Sequence, residues 1–190
     1  MQCIYKCGFT IREYVEGEGH EQVVPDRCCA SCGRQEGQHR HGTYERAVVD
    51  EEGRGWTIRV ARFLCMACGR TLSYLPGFAL SYRLVSAAGF EAFLEGKHDR
   101  RDVLRHLDLL KSYRRKMESF AASVYRVVGY GLGLAPPARP REVWWWLKEA
   151  CGGVEPATCR LVAQFRLTVF GRYRCHQPGQ EAINPTFRQD

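Results

Sequence analysis

Cys29-Ala-Ser-Cys32-Gly33-Arg34 and Cys65-Met-Ala-Cys68-Gly69-Arg70 are one pattern written twice. A C-x-x-C turn aims two thiolates at one point, and the following glycine permits the tight turn that lets backbone amides face the sulfurs. Two such turns supply four thiolates, a closed tetrahedral set with no position left for a substrate. The pattern therefore predicts one structural zinc ion held by Cys29, Cys32, Cys65 and Cys68. Its binding energy, on the order of 10–16 kcal/mol, would fold a small module that lacks a core. Cys28 adjoins Cys29 and is an alternative ligand, but the two-residue spacing and Gly33 favour Cys29. A redox C-x-x-C needs a βαβ setting, which neither copy has, and disulfide pairing needs an oxidising compartment.

The residues between the two cysteine pairs read as a ribbon. His41–Val49 is strand-like, Asp50-Glu-Glu-Gly-Arg-Gly55 is a turn, and Trp56, Ile58, Val60 and Leu64 alternate with Thr57, Arg59 and Ala61. Thr71-Leu-Ser-Tyr-Leu75 adds a third strand before Pro76. His39 and His41 read as surface side chains of the hairpin. Cys3 and Cys7 have a spacing that suits half of a second site, with Cys151, Cys159 and Cys175-His176 as partners, but no spacing binds them together. They read as thiols.

The run His41-Gly-Thr-Tyr-Glu-Arg46, then Arg62-Phe-Leu-Cys-Met-Ala-Cys-Gly-Arg-Thr-Leu-Ser73, then Leu75-Pro-Gly-Phe-Ala-Leu-Ser-Tyr-Arg83, resembles the N-terminal region of insertion-sequence transposases. There a zinc ribbon precedes a helix-turn-helix. Small bacterial proteins that carry the ribbon without a catalytic domain are more similar still. The resemblance covers about residues 26–130 and implies DNA binding by an accessory or regulatory protein of a mobile element, with the same four cysteines as zinc ligands. Met66 stands where that family more often has proline.

The formal net charge is +7 with a pI near 9.0, which favours polyanionic partners. Residues 1–27 carry three basic against five acidic groups, and residues 97–126 carry nine against four. The positive field therefore sits mid-chain. Ala87, Phe90 and Leu94 share a helical face ended by Gly96, and Asp99 suits the N-cap of a second helix with Val103, Leu107 and Leu110 as its stripe. Tyr113, Met117, Phe120, Val124 and Val127 continue at helical steps, with Arg115, Ser119, Ala122 and Arg126 opposite. Two arrangements fit: a helix-turn-helix, or one long helix from Asp99 to Val128, since neither glycine nor proline breaks Leu110 to Tyr113. Arg100, Arg101, Arg105, Lys111, Arg114, Arg115, Lys116 and Arg126 are the candidate nucleic-acid contacts.

The fold class expected is α+β: a small β zinc ribbon followed by a mainly helical domain. Its parts are a lead-in (1–27), the ribbon (28–79), a basic helical unit (80–130), a linker (131–141), C-terminal helices (142–171) and a tail (172–190). In the C-terminal helices Trp144, Trp145 and Trp146 cannot share one face, and a helix opening near Pro156 should run to Gly171 with Val162, Phe165 and Val169 inward. There is no membrane-length apolar run and no secretory leader pattern, so a reducing cytoplasm is expected, and the resemblance implies a bacterial one. No catalytic motif is legible, so the chain reads as a binding protein and not an enzyme. Its expected partner is double-stranded DNA. RNA, or a protein or second copy docking on the helical region, are the alternatives.

Overall fold

The computed structural model describes residues 2–35, 37–97 and 105–172. Asp99, Arg100, Arg101, Asp102, Val103, Cys175 and His176 lie outside the described residues, and so do the helix start expected at Asp99 and the tail beyond Arg172.

The period-two stretch after the first cysteine pair forms the strands expected of it. β2 (Gln38–Val49) and β3 (Gly55–Cys65) make an antiparallel hairpin, and β4 (Thr71–Pro76) returns along β3 with Phe63 opposite Leu72. The lead-in is not separate from them. Its β1 (Gln2–Tyr5) pairs in parallel with β4, Cys3 opposite Tyr74, giving the strand order β1-β4-β3-β2. Its helix α1 (Ile11–Glu16) starts on a capping box in which Glu13 N donates to Thr10 Oγ1 and Thr10 N to Glu13 Oε2. Tyr14 of α1 is buried and donates its hydroxyl to the Arg59 carbonyl at 2.9 Å. The sheet curls enough for Gln2 Nε2 on one edge strand to reach Tyr44 Oη on the other at 3.4 Å.

The β2–β3 turn is organised by one carboxylate. Asp50 is only 4% exposed, and its two oxygens accept hydrogens from Glu52 N, Arg54 N, Arg54 Nε and Trp56 Nε1 at 2.7–2.9 Å. Burial alone would raise this carboxyl, but the hydrogen bonds outweigh it and hold the group below the usual carboxylate range.

Helix α2 (Ala87–Leu94) begins on Ser86, whose hydroxyl accepts from Gly89 N at 3.0 Å. Helix α3 (Leu107–Leu132) runs 26 residues without a break. Neither arrangement weighed from sequence is reproduced whole: the helix runs unbroken through Leu110–Tyr113, but it begins at Leu107 after a turn at Arg105–His106 and not at Asp99. The turn a helix-turn-helix would need near Leu110–Tyr113 is absent there, for want of a residue that would interrupt the ladder. Its buried row is Leu110, Tyr113, Met117, Ala121, Val124 and Val128. Phe120 and Val127, expected in that row, sit half-buried at its margin.

The stretch read as a linker is helical as far as Leu132 and then pinned: Trp146 Nε1 donates to the Ala135 carbonyl at 3.0 Å, and Tyr125 Oη to that of Arg139 at 3.1 Å. A Cβ at Gly131 would stand 2.7 Å from the Phe165 ring, so this helix pair needs a bare backbone there. Helices α4 (Val143–Cys151) and α5 (Val154–Phe165) follow. α5 ends at Phe165 and not at Gly171, because Arg166 turns into the left-handed region at φ 54°. A two-residue hairpin, β5 (Leu167–Thr168) and β6 (Gly171–Arg172), then carries Val169 and Phe170 into the helical core. Phe90, Tyr113 and Phe170 meet there with ring centroids 5.4–5.9 Å apart. Val49 of β2 belongs to the same core, and Ser86 N donates to its carbonyl at 2.8 Å, so sheet and helices are joined at the start of α2.

Replacing Asp50 by Asn should cost about 1–3 kcal/mol at pH 7, since four donors lose a buried, charged acceptor. Because the folded carboxyl titrates below its unfolded value of about 3.9, its stabilisation is complete above that pH and is lost as pH falls through the folded value. Urea midpoints of wild type and Asp50→Asn should therefore differ clearly at pH 7 and approach each other in acid. Equal midpoints at pH 7 would contradict this account of the turn.

Candidate metal centre

Each cysteine pair closes on itself in the same way. Cys29 N donates to the Arg34 carbonyl at 2.8 Å and Gly33 N to that of Cys29 at 2.9 Å. In the second copy Cys65 N donates to Arg70 at 3.0 Å and Gly69 N to Cys65 at 2.8 Å. Gly33 and Gly69 sit at φ 80° and 66°, where a side chain is disfavoured, which is why each pattern carries glycine at that place. Ser31 N points at Cys29 Sγ at 3.4 Å, and Arg70 Nη1 donates across to Ser31 Oγ at 3.1 Å, tying the two turns together.

The four sulfurs of Cys29, Cys32, Cys65 and Cys68 lie within 4.8 Å of one another. Cys29 Sγ is 3.9 Å from Cys68 Sγ, and Cys32 Sγ is 3.8 Å from Cys65 Sγ. A disulfide needs about 2.05 Å, so these are not disulfide pairs. A tetrahedron with metal–sulfur bonds of about 2.3 Å has edges of about 3.8 Å, so the spacing suits one shared ion. Cys29 and Cys65 are buried, Cys68 is half-buried and Cys32 is exposed. Burial pushes the Cys29 thiol up to about 12. At Cys65 burial also opposes ionisation, but the amides of Cys68 and Ala67 and the Cys29 thiol outweigh it and draw the group down to about 7. A cation binding all four sulfurs would displace the thiol protons as it binds.

Among the described residues no other set of three Cys, His, Asp or Glu side chains converges in this way. Cys28 is outside the cluster. Cys3 is packed among Ala61, Phe63 and Tyr74, and Cys159 lies against Ile4 and Val162; among the described residues neither joins Cys7 in a converging set of three ligands. His39 and His41 are exposed on β2.

The predicted phosphate contacts that are described all lie on the surface. Arg105 precedes α3, and Lys111, Arg114, Arg115, Lys116 and Arg126 are exposed along it. Lys111, Arg115, Ser119, Ala122 and Arg126 form a row opposite the buried one, spanning roughly 22 Å at the helical rise. Arg114 is engaged with Glu118 at 2.9 Å, and Lys111 lies 3.8 Å from Asp108. Arg115 and Lys116 make no ion pair among the described residues. Beside this row a groove of about 840 Å³ is lined by Phe93 and Leu107, by the basic Lys111, Arg114, Arg115 and Arg141, and by the carboxylates of Asp108 and Glu118. Arg141, at the start of the C-terminal helices, is far along the chain and had no sequence signal linking it to the others. The tryptophans divide three ways: Trp144 is buried, Trp146 is half-buried against Tyr125, and Trp145 is 56% exposed.

Fold and site thus define a mixed α+β protein with a cluster of four cysteines, able to hold a metal ion, at one end of its sheet and a long basic helix. A family model described as a domain of unknown function (DUF6431) matches residues 29–109, from the first metal-centre cysteine to the opening of α3. No curated protein and no solved structure matches the chain. No described helix is long and apolar enough to cross a membrane.

Cys29→Ser or Cys65→Ser should abolish stoichiometric metal binding and unfold the sheet end, whereas Cys28→Ser should leave one ion per chain. Metal analysis of the purified variants checks this. Loss of the ion in Cys28→Ser alone would move the ligand set by one residue.

Proposed function

We propose that the tetrathiolate centre holds zinc as a structural ion and that the chain binds duplex DNA through the exposed row of α3. On this reading it is a non-enzymatic accessory or regulatory protein of a mobile element. The observation that carries it is the row itself: Lys111, Arg115 and Arg126 project from one helical face, and Ser119 and Ala122 between them let a backbone approach closely. A closed set of four thiolates suits a structural role for zinc, since no coordination position is left for chemistry. Phosphates would supply most of the affinity, so binding must weaken steeply with salt.

A second reading, a protein-docking adaptor, draws on the exposure of Trp145 and Tyr130 on the helical half. One experiment separates the two. The zinc-loaded chain should bind duplex DNA with a strong salt dependence and resist single-stranded RNA competitor. The triple variant Arg115→Ala, Lys116→Ala, Arg126→Ala should keep its metal and lower the slope of log K against log salt by about 0.9 for each phosphate it no longer neutralises. Unchanged DNA binding by the triple variant, or none by wild type at low salt, would reject the α3 interface and leave the adaptor reading.

A further inference from the structure

Away from the metal centre and the α3 row, a cleft of about 360 Å³ opens between the curled sheet and the segment 80–84. Gln2, Tyr44, Arg46, Tyr82 and Arg83 line it, two guanidinium groups and no carboxylate. Arg46 reaches across from β2 to the carbonyls of Leu80 and Arg83, the second at 2.6 Å, and so fixes the segment against the sheet. Arg83 lies on the rings of Tyr113 and Phe170, 5.1 and 4.8 Å from their centroids, and donates to the Tyr82 carbonyl at 3.0 Å. It makes no ion pair among the described residues, and its buried Nε–H meets no acceptor there. A cation held on aromatic faces without a counter-charge favours an anion beside it.

Tyr82 is the second unusual feature. Its φ is 56°, in the left-handed region that disfavours a side chain, yet its ring is 79% exposed. The hydroxyl has no hydrogen-bond partner among the described residues. Packing therefore gives no reason for tyrosine at a backbone position where glycine would sit without strain. An exposed ring beside a guanidinium is what an unstacked base and its phosphate require. Gln2 and Tyr44 add a polar wall, and the volume suits a small ligand.

We propose that this cleft binds one unstacked nucleotide, its phosphate at Arg83 with Arg46 adding positive charge, and its base on the Tyr82 ring. The nucleotide is either free or part of an unpaired strand. The site shares no residue with the α3 row, so either assignment can fail alone.

The test uses the full zinc-loaded chain with three probes at low salt: adenosine 5′-monophosphate, a short single-stranded oligonucleotide and inorganic phosphate. Wild type should bind the nucleotide or the strand, and the stronger of the two identifies the source. Tyr82→Gly should keep its metal, melt no lower than wild type, and lose ten-fold or more in affinity. Arg83→Gln should weaken all three probes, and should it fail to fold, Tyr82→Gly still decides. The α3 triple variant should bind adenosine monophosphate as wild type does. Binding by Tyr82→Gly within two-fold of wild type would overturn the proposal. So would wild-type binding of phosphate alone, or of none of the probes.

Discussion

Four sulfur atoms drawn within 4.8 Å of one another constrain one whole end of this molecule. The described residues between α1 and β2, over 17–37, contain no helix or strand, so their path depends on side chains and on the cysteine cluster. Asp26 N donates to Tyr74 Oη at 2.9 Å and Gln38 Nε2 to the Asp26 carbonyl at 2.6 Å, which lays this segment across the sheet. Cys29, Ala30 and Cys65 then pack with Phe63, Leu72 and Tyr74 in a small apolar cluster. A cluster of that size contributes little next to the conformational entropy of the loop it orders. A cation shared by the four sulfurs would be an interaction large enough to make up the difference.

From that end the constraint passes along the chain in physical steps. β3 carries Cys65 at one end and Gly55 at the other, beside the turn that Asp50 closes. Val49, next to that turn, exchanges backbone hydrogen bonds with Leu84 and Ser86, and Ser86 caps α2. Phe90 of α2 then packs on Tyr113 of α3. Beneath α2, Glu91 accepts from Val154 N at the start of α5, and Lys148 of α4 pairs with Glu91 and Glu95. The basic row of α3 is thus held in a fixed relation to the sheet.

Local patterns were legible in the sequence. The twice-written cysteine pattern identified the cluster residue by residue, and alternation around Ile58 and Val60 located the hairpin. Gly96 and the spacing of Ala87, Phe90 and Leu94 marked α2, while its cap at Ser86 went unread. What escaped depends on contacts between distant segments. β1 is four residues long, and its parallel partner is the last strand of the ribbon, about 70 residues on, so nothing local shows that Cys3 will face Tyr74. The early end of α5 follows from the left-handed Arg166, a residue with no breaker character of its own. The cleft at Tyr82 was illegible for a further reason: a strained φ is a property of coordinates, and the string Ser-Tyr-Arg carries no trace of it.

X-ray absorption at the zinc edge of the purified, zinc-loaded chain tests the central claim most directly. The account predicts a single site with four sulfur scatterers at about 2.3 Å and no nitrogen or oxygen in the coordination shell. A shell containing histidine nitrogen or water oxygen, or a chain that folds fully with no metal bound, would contradict it.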